Sequence, residues 1–235
     1  IWLYRRLQRT DELLPRLTEV WRARSDVRLR SHLRFSIRIS LDKNISNLFY
    51  ILPVMLLGSL APLRVAGHYK IAFSYIQLLG RFMGAISRLL QVQLPQSLVV
   101  GAERLRVHFR QSTVWSGLAS AGATIVAAAA AAPLIEFVYG PSYLAAALVV
   151  YALVPFAVAS GFAVGIGPVF RALDRVQNLI YTNAATLAIL TPVGYVFIAR
   201  WQEIGAAMLV DLYALVSTAV SLLVLRRHFR RISGA

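Results

Sequence analysis

A stripe of polar side chains lies within a long apolar segment of this sequence, at residues 67–94. Gln77, Arg81, Arg88 and Gln91 are spaced so that they share one face of a helix. The planar guanidinium of arginine can hold phosphate oxygens through two hydrogen bonds at once. We therefore predict that these residues line a water-filled cavity that binds a phosphate or diphosphate group. For Arg88, extension of the side chain to the aqueous end of the segment is an equally good interpretation.

A second polar group lies near the start of another apolar segment, at residues 35–60. Lys43 and Asn47 share a helix face there, beside Asp42. We include Lys43 and Asn47 among the candidate cavity residues. The end of a membrane helix also tolerates polar side chains, so Asp42 and Lys43 can equally serve only to anchor the helix at the interface.

The last apolar segment carries a lone carboxylate, Asp211. A charge at membrane depth costs about 2.5 to 3.5 kcal/mol even on the gentler insertion scale, so it needs an explanation. Three roles remain open from the sequence: Asp211 binds a coupling cation, pairs with Arg81, or is a structural partner of a neighbouring hydroxyl.

The composition indicates that lipid surrounds most of the chain. Of the 235 residues, 58% are hydrophobic and 15% are charged, and the mean hydropathy is +0.62. An average soluble domain carries about 25% charged residues. Six apolar segments reach the roughly 20 residues that a membrane-spanning helix needs. They cover residues 35–60, 67–94, 113–132, 143–170, 178–199 and 204–225.

These segments predict an all-α polytopic membrane protein, with a six-transmembrane-helix bundle at 35–231. Glycines and a proline between 161 and 168 are expected to kink or break the fourth segment. Residues 1–34 are predicted to be a basic cytoplasmic linker, with an amphipathic helix at 10–24 lying on the membrane surface. The stretch 27–39 is interpreted as the start of the first long helix. Because the sequence begins with Ile1 rather than Met, we expect a fragment of a longer protein.

Basic residues alternate along the chain in a way that predicts orientation. Nineteen lysines and arginines lie before residue 41, at 104–110, at 171–175 and at 226–231, whereas the intervening loops carry three. The positive-inside rule then predicts that both ends of the chain lie in the cytoplasm. The protein itself is expected in the inner membrane of the cell. The net charge of +15 is therefore expected to meet anionic membrane lipids rather than nucleic acid.

Motifs for catalysis and metal binding are missing from the sequence. It has no cysteine, its four histidines show no ligand spacing, and it lacks the common hydrolase, metalloprotease and nucleotide-binding motifs. The outer loops are short for an enzyme site. We predict a transport protein with no catalytic residues, no cofactor and no metal.

Three short motifs resemble one transporter family. They are VAGHYKIA at 65–72, LPQS at 94–97 and FVYGPSYLAA at 137–146. In order and spacing, they resemble the corresponding motifs of Wzx-type polysaccharide flippases, members of the multidrug/oligosaccharidyl-lipid/polysaccharide exporter superfamily. The likeness covers about residues 35–231.

The resemblance implies two six-helix bundles that work by alternating access, of which this chain is the C-terminal one. It implies a polyprenyl-diphosphate-linked oligosaccharide as substrate and the missing N-terminal bundle as partner. Family members often carry a charged residue shortly before the first motif, where this chain has Pro53, Val54 and Met55. Two alternatives remain open: a drug or metabolite exporter of the same superfamily, and a membrane enzyme or scaffold subunit of polysaccharide assembly.

Overall fold

The computed structural model describes residues 29–233, and the regular structure of that part is entirely helical. The elements are α1 (Leu29–Leu60), α2 (Leu63–Val100), α3 (Ala102–Tyr139), a 3₁₀ helix (Pro141–Tyr143), α4 (Ala145–Ala152), α5 (Val154–Ala163), α6 (Ile166–Ala172) and α7 (Val176–Ser233). This confirms the all-α prediction for the described residues. The predicted amphipathic helix at 10–24 lies outside them, whereas the stretch at 27–39 is helical from Leu29 onward.

The chain divides into two compact units, Ile1–Ser40 and Leu41–Ala235. The packing and the cavities described below all belong to the second unit.

The helices α2 and α3 form an antiparallel pair around Gly101. The backbone of Gly101 has φ 151° and ψ 154°, a conformation that favours glycine. Close to this turn, Ser97 Oγ and His108 Nδ1 are 2.7 Å apart. Further along the pair, the Tyr75 hydroxyl donates to the carbonyl of Ala127 at 2.8 Å.

The element α7 is two helices that fold back on each other at Gln202. Its 58 residues would measure about 87 Å as one straight helix, but Gln202 has φ 48° and ψ −120°. Pairs of residues on either side of this turn are in contact. They are Gly205 with Phe197, Gly194 with Leu209, Thr191 with Tyr213 and Asn183 with Ser217. The predicted spans 178–199 and 204–225 therefore lie on the two antiparallel arms.

The predicted fourth segment, 143–170, is broken within the expected stretch 161–168, and also at Leu153, where the sequence predicts no break. It consists of the 3₁₀ helix, α4, α5 and α6, with interruptions at Leu153 and at Val164–Gly165. At the second interruption a Cβ on Gly165 would lie 3.1 Å from the ring of Phe109. Glycine thus allows the chain to approach α3 closely at this break.

Prolines do not end α2 and α3 where the sequence predicts breaks. Pro95 and Pro133 lie inside their helices, which continue to Val100 and Tyr139. An internal proline removes one backbone hydrogen bond and tends to kink a helix. Around Pro95, burial of Leu94 and Ser97 in the bundle opposes that cost, so tertiary packing outweighs the local preference.

Two apolar clusters occupy the two ends of the bundle. One contains side chains next to the turns at 61–62, 140–144 and 202. The other contains side chains next to Gly101, next to the turn at 173–175 and near the end of α7. The basic stretches at 104–110, 171–175 and 226–230 therefore lie at one end of the bundle. Their orientation relative to a membrane stays a prediction.

Among the described residues, three helical stretches are long and apolar enough to cross a membrane. They are Ala102–Tyr139, Val154–Ala172 and Val176–Arg230. The helices α1 and α2 are longer than a span but carry many polar side chains, and they do not belong to this set. The protein thus has the helices of a membrane protein, while the six-span bundle stays a prediction.

Candidate functional site

Three adjoining cavities meet at Tyr50, on α1. We name them by a charged group in each: the Arg81 cavity (390 Å³), the Asp42 cavity (430 Å³) and the Lys70 cavity (330 Å³). Tyr50 lines all three, and its ring contacts those of Phe73 and Phe156 at centroid distances of 5.8 and 5.9 Å. These aromatic contacts connect α1 with α2 and α5, and thereby fix the wall that the cavities share.

The Arg81 cavity lies between the middle of α2 and the helices α3 and α5. Arg81, Gln77 and Ser87 line it from α2, and Ser120 and Ser160 line it from the other side. Gly80 and Gly84 also line it, and a Cβ on either would meet nothing within 4 Å. Arg81 is exposed, and within the described part of the chain it forms no ion pair. Its guanidinium is therefore available to a ligand.

Hydroxyl groups hold α3 tightly against α5 behind this cavity. Ser116 Oγ donates to the carbonyl of Gly161 at 2.8 Å, and Ser120 Oγ donates to that of Ala157 at 2.9 Å. A Cβ on Gly161 would overlap the side chain of Ser120. Small residues allow such close approach between helices, so this back wall is closely packed.

The Asp42 cavity contains a buried polar network. Asp42 is 4% exposed, and its Oδ2 lies 4.0 Å from Nη2 of Arg171. Its Oδ1 accepts a hydrogen bond of 3.4 Å from Asn183 Nδ2, which also donates to Ser46 Oγ at 3.2 Å. Ser217 Oγ in turn donates to Asn183 Oδ1 at 2.6 Å. The network therefore connects α1, α6 and both arms of α7.

Two polar atoms around this cavity lack a partner among the described residues. They are Nε of Arg171 and Oγ of Ser221, and both atoms are buried. Both residues line the Asp42 cavity. A buried polar group is normally paired with protein or water, so this wall has unused capacity for hydrogen bonding.

The structure brings most of the sequence-predicted site residues to these cavities. Gln77 and Arg81 line the Arg81 cavity, Gln91 lines the Asp42 cavity, and Asn47 lines the Lys70 cavity together with Gln77. The stripe on α2 thus extends along more than one cavity.

Arg88 and Lys43 lie elsewhere. Both are exposed, and neither lines any of the three cavities. Arg88 Nε lies 3.4 Å from the carbonyl of Gly84 on its own helix. Extension of Arg88 to the aqueous end of the segment stays a prediction.

Asp42 and Asp211 differ from their sequence-based interpretations. Asp42 does not anchor a helix end beside Lys43, because it is buried against Arg171 and Asn183. Asp211 is 9% exposed, and its Oδ1 accepts a hydrogen bond of 2.8 Å from the backbone N–H of Phe156. Within the described residues Asp211 forms no ion pair with Arg81, and its partner is a backbone N–H rather than a neighbouring hydroxyl. Binding of a coupling cation by Asp211 stays a prediction.

Arg171, Asn183 and Ser217 were missed by the sequence analysis. Arg171 was counted only as a loop residue, although it lies near the end of the predicted fourth segment. Asn183 and Ser217 both lie within predicted spans, and the rule that singled out Gln77 and Gln91 applies to them equally. Asn183 and Ser217 are recognised as partners only in three dimensions, because the turn at Gln202 brings the two arms of α7 together.

Comparison with known proteins identifies no family for this chain. No protein-family model, no curated protein and no solved structure matches this chain. The likeness to polysaccharide flippases therefore stays a hypothesis, carried by the sequence motifs alone.

Proposed function

We propose that this chain is one bundle of a transporter that moves a polyprenyl-diphosphate-linked oligosaccharide across the cytoplasmic membrane. The observation that carries the proposal is the position of Arg81. It lies halfway along α2, lines a 390 Å³ cavity, and forms no ion pair within the described residues. A permanently charged fork that lines such a cavity suits a diphosphate, while the lipid tail remains in the bilayer.

The charge balance of the three cavities favours an anionic substrate. Arg81, Lys70 and Arg171 line them, against a single acidic residue, Asp42. Asp42 is already paired, and Asp211 is bonded to a backbone N–H. An exporter of cationic compounds needs an available carboxylate, so this alternative has less support.

Reconstitution with a fluorescent substrate tests the proposal. The chain and the bundle that precedes it would be placed in vesicles with a fluorescently labelled polyprenyl-diphosphate saccharide. Dithionite would then be added to bleach the label in the outer leaflet. We expect bleaching beyond the outer-leaflet fraction, and loss of that excess in Arg81→Ala but not in Arg110→Ala, an exposed arginine on α3. Bleaching equal to that of protein-free vesicles would contradict the proposal.

The same vesicles separate a transporter from the alternatives. One bundle supplies one wall of a cavity that needs two, so the chain alone should not move the lipid. Activity of the isolated chain, with crosslinking showing no self-association, would contradict the two-bundle arrangement. Cleavage of the diphosphate linkage would instead favour an enzyme of polysaccharide assembly.

A further inference from the structure

We propose that Arg171 is a second anion-binding residue, and that Asp42 holds its guanidinium while no anion is bound. The anion would be a phosphate or diphosphate group. The inference deepens the proposed function and rests on it only for the view that this group belongs to a lipid-linked saccharide.

The contact between Arg171 and Asp42 is loose. Nη2 and Oδ2 are 4.0 Å apart, whereas a charge-assisted hydrogen bond is about 2.7 to 2.9 Å long. The guanidinium offers five N–H donors, and its buried Nε has no partner among the described residues. The N–H of this buried Nε is therefore unused in a site where an unpaired donor is costly.

The surroundings of Arg171 fit an oxyanion. Its side chain is 24% exposed and lines a 430 Å³ cavity, which is large enough for a diphosphate group. The unpartnered hydroxyl of Ser221, a residue 1% exposed, lines the same cavity and can donate to a phosphate oxygen. When the anion binds, Arg171 would leave Asp42 and contact the anion. Asp42 would keep the hydrogen bond that it accepts from Asn183.

The Arg171 site is continuous with the Arg81 cavity. Ser87, Phe156, Ser160 and Val164 line both cavities, as does Tyr50. An anionic group that leaves Arg81 toward the basic end of the bundle would thus enter the cavity of Arg171. Two arginines in successive cavities give the anion a favourable partner at each position.

A purely structural role for Arg171 predicts different mutant behaviour. If Arg171 only neutralises Asp42, replacing both residues with uncharged ones removes the problem and leaves anion binding unchanged. If Arg171 binds the anion, its loss weakens binding whatever residue stands at position 42. Removing Asp42 alone should then tighten binding, because it removes a competing partner and a like charge.

The experiment measures binding of inorganic pyrophosphate to the full chain, purified in detergent, by titration calorimetry. We expect Arg171→Gln to weaken binding about ten- to a hundredfold and Asp42→Asn to tighten it roughly tenfold. The double variant should still bind more weakly than the unmodified chain. Arg175→Gln is the matched control: it removes the same charge four residues later, at an exposed position, and should change affinity little.

Several results would overturn the inference. They are wild-type affinity in the double variant, equal affinities in Arg171→Gln and Arg175→Gln, or no binding of pyrophosphate to the unmodified chain. Chemical protection gives a second readout that needs no variant. Pyrophosphate should shield Arg171 from phenylglyoxal, as mapped by mass spectrometry, and unchanged modification of Arg171 would contradict the proposal.

An experiment in lipid vesicles distinguishes a lipid headgroup from a free phosphate as the source of the anion. Phenylglyoxal protection would be measured in phosphatidylcholine vesicles with and without polyprenyl diphosphate. Protection by the lipid supports a lipid headgroup at Arg171. Protection by pyrophosphate alone, with no lipid movement in the transport test, would keep the anion site and reject the lipid-linked substrate, so the two proposals fail separately.

Discussion

The carboxylate of Asp211, on the second arm of α7, accepts a hydrogen bond of 2.8 Å from the backbone N–H of Phe156 in the first turn of α5. The first N–H groups of a helix have no partner within the helix, and a negative charge is favourable at this end. Asp211 therefore caps α5 from a distant part of the chain. Asp211, which the sequence suggests as a candidate ion site, therefore has a structural explanation for its burial.

This relationship predicts how substitutions at Asp211 affect stability. Asp211→Ala leaves the buried N–H of Phe156 unpaired, which should lower the free energy of unfolding by about 1 to 3 kcal/mol. Asp211→Asn keeps an accepting oxygen and should lower the free energy of unfolding by less. Thermal unfolding in detergent measures both, with Glu136→Ala, an exposed carboxylate, as control. Equal stability of Asp211→Ala and Glu136→Ala would contradict the capping role.

The turn at Gln202 predicts a second stability effect. A Cβ on Gly205 would overlap the backbone carbonyl of Phe197, and backbone cannot move aside as a side chain can. Gly205→Ala should destabilise the fold by about 1 to 3 kcal/mol. Gly122→Ala on α3 is the matched control, because a Cβ there meets nothing within 4 Å and alanine favours a helix. Similar unfolding temperatures for the two variants would show that the two arms are not packed this closely.

The helical class and several turns could be predicted from local sequence. The backbone N–H and C=O groups of a long apolar segment must form hydrogen bonds within that segment, and an α-helix provides them. Gly101 and Gly140 both have positive φ and lie between the segments that the sequence separates. The break near Gly165 follows from the same residue type. These features depend on neighbours in the chain, so they are visible in one sequence.

The Asp42 network could not be predicted in the same way. Asp42 is far in sequence from Arg171 and Asn183, and it meets them only because α1, α6 and α7 pack together. The continuation of α2 through Pro95 depends on tertiary burial that a local rule does not include. The paired carboxylate therefore resembled an interface anchor, and the half-buried arginine resembled a loop charge.

The grouping of basic stretches at one end of the bundle supports a topology test. Because the chain has no cysteine, single cysteines can be introduced at Ser142, in the 3₁₀ helix, and at Arg106, near the start of α3. The positive-inside rule predicts that a membrane-impermeant thiol reagent added outside labels Ser142→Cys and not Arg106→Cys. The reverse pattern would show an inverted topology.

Substitution of Arg81 tests the diphosphate-binding role directly. Lysine keeps the charge but loses the two-pronged hydrogen bonding, so Arg81→Lys should be partly defective and Arg81→Ala worse. Loss of a charge-assisted hydrogen bond, worth roughly 1.5 to 3 kcal/mol, predicts an affinity for the lipid-linked saccharide that is about ten- to a hundredfold weaker in Arg81→Ala. Binding in detergent measures the affinity, and restoration of surface polysaccharide in cells lacking the transporter measures function.

The double variant of Arg81 and Asp211 separates substrate binding from ion pairing. Because the structure gives Asp211 a backbone partner, replacing both residues with alanine should be at least as defective as Arg81→Ala. Recovery of function in the double variant would mean that the two side chains pair during transport. Such recovery, or full complementation by Arg81→Ala, would reject Arg81 as the diphosphate ligand.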